Sequence, residues 1–198
     1  MAITAAMGLR LATIFLVLVA NAASADYDPS QYPAYETCAL CHGLFGVSHT
    51  AKFPNLAGQK KAYIENQVRA FRNGHRTNDG GQMSAIATEL QPEDIPFVAD
   101  WFTNQDPPAP YPEEDTTLGA SLFNTLRCAG CHRNSGVSDP AIPYLTAQHP
   151  GYLEKQMRDF REGRRAVARN SGLHATSLRL SDEEIDAIAR YLGASERK

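Results

Sequence analysis

The pentapeptide Cys38-Ala39-Leu40-Cys41-His42 returns 90 residues later as Cys128-Ala129-Gly130-Cys131-His132, and these two stretches hold all four cysteines of the chain. Around them the chain repeats itself in order. Pro54-Asn55-Leu56 recurs as Pro143-Tyr144-Leu145, Tyr63-Ile64-Glu65-Asn66-Gln67 as Tyr152-Leu153-Glu154-Lys155-Gln156, and Phe71-Arg72-Asn73-Gly74 as Phe160-Arg161-Glu162-Gly163, each at an offset of 89. Residues 90–101 match residues 180–191 at an offset of 90. Similarity that keeps its order over about 85–90 residues marks a duplicated domain, a longer unit than most solenoid repeats. Between the copies lies Asp106-Pro107-Pro108-Ala109-Pro110-Tyr111-Pro112, a stiff proline linker. The boundaries expected are residues 26–107 for the first domain and 108–198 for the second.

Each copy reads as short helices. Residues 60–73 place Ile64, Val68 and Phe71 on one helical stripe, and Gly74 suits the left-handed stop after it. Leu153, Met157 and Phe160 repeat the stripe, with Gly163 as the stop. Pro92 is expected to open the next helix of the first copy, burying Ile95, Val98, Ala99 and Phe102. In the second copy Ser181 and Glu184 form a capping box, Ile185, Ile188, Ala189 and Leu192 make the apolar face, and Gly193 closes the helix. No alternating run of useful length argues for a strand, so the fold expected is all-α.

The chain of 198 residues is 43% apolar and 21% charged, with mean hydropathy −0.36, an ordinary globular composition. Its formal net charge of −3 argues against nucleic acid as a partner, because phosphate binding wants a clustered basic surface. Residues 1–25 look like an address. Arg10 is their one charge, an apolar run spans residues 11–20, and Ala23-Ser24-Ala25 offers small residues at the −3 and −1 positions of a cut after Ala25. The expectation is a cleaved signal peptide and an exported, periplasmic protein that is not integral to the membrane; an uncleaved anchor is the alternative.

The spacing C-x-x-C-H is the attachment pattern of c-type haem. Two thiols three positions apart on one helical turn can each bond a vinyl group, and the adjacent histidine then points its imidazole at the iron. A domain this small builds a thin core and often needs a staple, which the porphyrin supplies. A thioredoxin-like dithiol wants a β-α-β context. A zinc site wants two C-x-x-C pairs on one ion, whereas here each pair sits in its own copy. Disulfides between such near neighbours are strained. The expectation is two covalently bound haem c groups, held by Cys38, Cys41, Cys128 and Cys131, with His42 and His132 on the irons.

The sixth ligands are expected to differ. Beyond residue 25 only two methionines remain, Met83 and Met157. Met83 follows Asn78-Asp79-Gly80-Gly81-Gln82, 41 residues past His42, in what reads as a polar loop with no core to fill. It is assigned to the first iron. Met157 aligns with Val68 on a helical stripe and reads as core filler. The loop equivalent to that of Met83 offers His174 instead, 42 residues past His132. Bis-histidine ligation of the second iron is therefore expected; the alternatives are five-coordination or His149, which aligns with Lys60 at a helix start. His49 and His75 read as surface or haem-edge residues. Thioether ligation raises the potential relative to a second nitrogen, so the first haem is expected to lie higher than the second.

With the paired C-x-x-C-H units, the Pro-x-Leu segments, and Tyr-(Ile/Leu)-Glu-x-Gln followed by Phe-Arg-x-Gly, essentially the whole chain after residue 25 resembles the dihaem cytochromes of the cytochrome c4 type. The resemblance implies two class I cytochrome c domains in tandem, facing each other with their haem propionates near the interface. It also implies that the Pro54 and Pro143 carbonyls accept hydrogen bonds from His42 and His132, and that Arg76 and Arg165 lie near propionates. Such proteins usually carry methionine on both irons, and His174 departs from that. Outer-sphere electron transfer between redox proteins, a membrane oxidase or a dehydrogenase subunit among them, is the implied function. The alternatives are a subunit of a sulfide or thiosulfate dehydrogenase, or a haem enzyme with an open site on the second iron. Charge is unequal, net −4 over residues 26–107 and zero over 108–198, where Arg158, Arg161, Arg164, Arg165 and Arg169 lie close together; such a run reads as a solvated face, with steering of an acidic partner as the alternative.

Overall fold

A computed structural model describes residues 33–132, 139–166, 174 and 179–197. The leader read in residues 1–25 lies outside them. Eight helices and no strand occur among the described residues. The first half holds α1 (Tyr35–His42), α2 (Lys61–Arg72), α3 (Gln82–Glu89) and α4 (Ile95–Thr103). The second holds α5 (Thr117–Thr125), α6 (Ala129–His132), α7 (Pro150–Arg161) and α8 (Asp182–Ala194).

Each half closes on its own small core. In the first, the α2 stripe meets α4, burying Ile64, Val98, Ala99 and Phe102, with Val68 and Leu56 against them. In the second, α8 packs on both α5 and α7, burying Phe123, Leu153, Ile185, Ile188 and Leu192, and Met157, partly buried, packs beside them. Both central helices end as read: Gly74 has φ +68° and Gly163 φ +71°. The Ser181–Glu184 capping box is present in both directions.

Three local readings need correcting. The helix expected from Pro92 begins at Ile95, and its proline in the first turn is Pro96; Pro92 sits in the turn before it. Gly193 does not close α8, which runs on to Ala194. It is small because the chain passes it closely: a Cβ there would stand 2.7 Å from Pro150 Cγ and 3.1 Å from the Gln148 carbonyl oxygen. Met83 does not lie in a loop. It is the second residue of α3, whose start is set by Asp79, the carboxylate accepting from the Met83 and Ser84 amides. The run of arginines is mostly neutralised. Arg158 and Arg161 reach Asp182 at 2.5 and 2.7 Å, and Arg164 pairs with Asp159 at 2.8 Å and with Glu162. Arg169 lies outside the described residues.

Candidate functional site

One cavity of about 1140 Å³ runs through both halves. Cys38, Cys41, His42 and Met83 line it from the first half, and Cys128, Cys131, His132 and His174 from the second. All eight residues singled out by sequence thus face one space. The four thiols are unpaired. In α1 the two cysteines stand three positions apart and His42 ends the helix; Gly43 turns the chain away at φ +78°, where a Cβ would collide with the Val47 carbonyl. Burial pushes the Cys38 thiol up to about 11, so it stays protonated.

The two motif histidines are set in the same way. His42 Nδ1 lies 2.8 Å from the Pro54 carbonyl oxygen, and His132 Nδ1 lies 3.1 Å from that of Pro143. A carbonyl can only accept, so each Nδ1 carries the proton and each Nε2 keeps its lone pair. Burial lowers both imidazoles from their ordinary value, which keeps them neutral at pH 7. His42 Nε2 is buried with no hydrogen-bond partner. Buried polar atoms are nearly always satisfied, so a bare lone pair facing a large apolar cavity is a mark of a metal ligand. The residues present fit haem.

His174 stands opposite His132, ring centres 6.1 Å apart. Two imidazoles on opposite faces of one metal ion, with bonds of about 2 Å each, have ring centres about 6 Å apart. Phe160 stacks on the His174 ring at 4.6 Å and 5°, holding it in place. Burial first, then the like charges of His132 and Arg165, lower His174 to about 4, so its nitrogens are free of a second proton near neutrality. His49 and His75 are exposed, the latter at the cavity margin. His149 does not line the cavity; its Nε2–H donates to the Ser48 carbonyl oxygen at 3.0 Å.

Where the halves meet, duplicated residues cross over. Arg76 donates to Tyr152 Oη at 3.1 Å and Gln156 Oε1 at 3.0 Å; Arg165 donates to Tyr63 Oη at 3.2 Å and Gln67 Oε1 at 3.0 Å. Each guanidinium also lies over an aromatic ring of its own half, Phe71 and Phe160. The resemblance placed both arginines near propionates but not as a bridge between the halves, and the repeated tyrosines and glutamines were given no role beyond marking the duplication. The available signal was their recurrence at one offset.

Residues 116–195 match the cytochrome c family, and residues 29–102 match the family described as cytochrome c oxidase, cbb3-type, subunit III. Cytochrome c4 of Pseudomonas aeruginosa is 33% identical over 196 residues, covering 92% of this chain and 94% of that one. A thiosulfate dehydrogenase electron acceptor of Stutzerimonas stutzeri is 32% identical over 199 residues, covering 91% of this chain and 90% of that one. Among solved structures, cytochrome c4 of Acidithiobacillus ferrooxidans superposes with a TM-score of 0.72 at 27% identity, over 81% of this chain and 99% of that one. Two all-α domains in tandem, each closing a C-x-x-C-H motif on a shared cavity, define a dihaem class I c-type cytochrome, with two covalently bound haem c groups. Its work is redox electron carriage. The chain belongs to the cytochrome c4 family.

Proposed function

We propose that this chain is a periplasmic shuttle that passes single electrons between redox proteins and does no bond chemistry of its own. Cys38 and Cys41 fasten one porphyrin, and Cys128 and Cys131 the other. His42 and Met83 ligate the first iron, His132 and His174 the second. Bound haem supplies a one-electron iron couple. The chain's own groups do the rest. The Pro54 and Pro143 carbonyls hold each imidazole with its lone pair forward, which strengthens it as a donor. Phe160 fixes the His174 ring. Arg76, 8% exposed, brings its positive charge to the boundary between the halves, and Arg165 does the same from the other side, where both suit carboxylates of the cofactor.

The observation that carries this reading is the single cavity lined by both ligand sets, which supports electron passage from one half to the other within the protein. Among the described residues no helix is long and apolar enough to cross a membrane. The 32% identity to a thiosulfate dehydrogenase electron acceptor favours one donor class in particular, a dehydrogenase that oxidises sulfur compounds. The reading that leaves the second iron open as an enzyme site is opposed by His174, which faces His132 across the cavity.

The test is absorption and paramagnetic-resonance spectroscopy of holoprotein matured in an export-competent host. Two low-spin haems are expected, one thioether–imidazole and one bis-imidazole, with no carbon monoxide bound after reduction and an N-terminus at Asp26. A high-spin signal from one haem, or carbon monoxide uptake, would overturn the carrier-only reading.

A further inference from the structure

Two glutamines at one repeat offset, Gln59 and Gln148, each grip a backbone segment of the opposite half. Gln148 Oε1 accepts from the Asn55 amide at 2.8 Å and Gln148 Nε2 donates to the Asn55 carbonyl oxygen at 3.0 Å. Gln59 does the same to Tyr144: Oε1 accepts from the amide at 3.0 Å and Nε2 donates to the carbonyl oxygen at 2.9 Å. Both side chains are buried, at 3% and 5% exposure. Each Oε1 also accepts one amide of its own half, from Lys60 and from His149, both at 3.0 Å.

The gripped amides are not arbitrary. The Asn55 N–H belongs to the same peptide plane as the Pro54 carbonyl, which accepts from His42 Nδ1–H. The Tyr144 N–H shares its plane with the Pro143 carbonyl, which accepts from His132 Nδ1–H. Each ligand histidine is thus joined to a glutamine of the other half through one planar, resonance-coupled amide. When the N–H end of an amide donates a hydrogen bond, electron density shifts toward its oxygen and makes it a stronger acceptor, so the two hydrogen bonds reinforce each other. A stronger acceptor at Nδ1 makes the imidazole a more basic ligand, and a more basic ligand favours the oxidised iron.

We infer that Gln148 and Gln59 are positioning residues acting in trans, each lowering the reduction potential of the haem in the opposite half by polarising the peptide that orients its histidine. The docking of the two halves and the potentials of the two irons are then one property. The inference rests on the assignment of His42 and His132 as iron ligands.

The experiment uses the full holoprotein and two near-isosteric variants without amide groups, Gln148→Met and Gln59→Met. Potentials are read by spectroelectrochemistry, with each haem followed through its own methyl resonances. Gln148→Met is expected to raise the potential of the first haem by about threefold in its reduction equilibrium, roughly 30 mV at 59 mV per decade, and to leave the second in place. Gln59→Met is expected to do the converse. Equal movement of both haems, movement of the same-half haem, or no movement would overturn the inference. Should neither variant mature, hydrogen exchange in the unmodified protein decides. The Asn55 and Tyr144 amides are expected to be among the slowest outside helices, and exchange at the rate of exposed loops would refute the grip. Wild-type spectra without histidine-bound iron would defeat the ligand assignment; normal spectra with unmoved potentials in the variants would defeat only the coupling.

Discussion

Asp159→Asn is expected to destabilise the holoprotein by about 2–3 kcal/mol at pH 7. The Asp159 side chain is 1% exposed, on the face of α7 turned toward the first half. Its Oδ2 accepts from Asn78 Nδ2 at 2.6 Å and from Lys155 Nζ at 2.5 Å, and its Oδ1 from Arg164 Nε at 2.8 Å. Hydrogen bonds to a charged group are worth roughly 1.5–3 kcal/mol each when buried. Lys155 and Arg164 are about half exposed and regain water when released, so their share is discounted. Asn78, whose amide reaches across from the first half, has less recourse to water. The net loss is about 2–3 kcal/mol, which lowers Tm by about 4–12 °C in a chain of this size. The pH dependence gives a second check. Burial pushes the Asp159 carboxyl up, but hydrogen bonds from Lys155, Asn78 and Arg164 outweigh it and hold the group below the ordinary carboxylate range. A carboxyl depressed on folding stabilises above its unfolded value of about 3.9, and that stability is lost as pH falls through the lower folded value. Urea melts followed by circular dichroism should therefore show a gap between wild type and variant that is full at pH 7 and closes in strong acid. A gap under about 0.5 kcal/mol at pH 7, or one undiminished at pH 2, would refute this account.

Gly119→Ala places a Cβ 2.1 Å from the Ala187 carbonyl oxygen, where α5 crosses α8, so the helices must part. A loss of about 1–3 kcal/mol is expected by calorimetry, and an unchanged Tm would show the crossing to be soft. His174→Met should give the second haem a thioether ligand, raising its potential toward that of the first while two haems per chain are retained; spectroelectrochemistry reads both. Replacing Cys128 and Cys131 by alanine should leave one haem per chain by pyridine haemochrome assay, and should lower helicity, because the cores of the second half are thin without the porphyrin. Retention of two tightly held haems would contradict the attachment chemistry.

Much of this architecture was legible because helices announce themselves by spacing. Ile64, Phe71, Leu153, Ile185 and Ile188 recur at helical intervals and are all buried. The residues that line the cavity were legible for a different reason: C-x-x-C-H is a local covalent motif, and the duplication supplies an internal alignment that pairs Met157 with Val68, against the second core and at the cavity wall, and sets His174, facing His132, in the place of Met83. What escaped was set by tertiary contact. Gly193 resembles a helix stop, but its smallness answers to Pro150 across the fold. Met83 resembles a loop residue because two glycines precede it, yet the Asp79 carboxylate starts a helix there. The run of arginines reads as a basic patch until Asp159, buried within the run, and Asp182, on α8, are seen to pair with it.

The interface was the least legible part, and the reason lies in how a duplicated chain meets itself. Gln59, Tyr63, Gln67 and Arg76 are polar residues on or near a helix that already has an apolar stripe, so taken singly they read as its solvent face. Their copies Gln148, Tyr152, Gln156 and Arg165 read the same way. Two copies related by a near-twofold rotation must satisfy a condition a single copy does not: if one residue touches a second, the copy of the second touches the copy of the first. Arg76 with Gln156 and Arg165 with Gln67 obey it, as do the two glutamine grips on residues 55 and 144. A buried polar group without a partner costs about 1–3 kcal/mol, so loss of one member strands its neighbour in the other half. That is the physical reason such a set survives as a set. Asp159 breaks the pattern, since its copy in the first half is Ala70. Its grip on Asn78 has no mirror image, nor has that of Lys155, whose copy is Asn66, on the Asn78 carbonyl, so the α7 side of the junction carries charged contacts that the α2 side does not return.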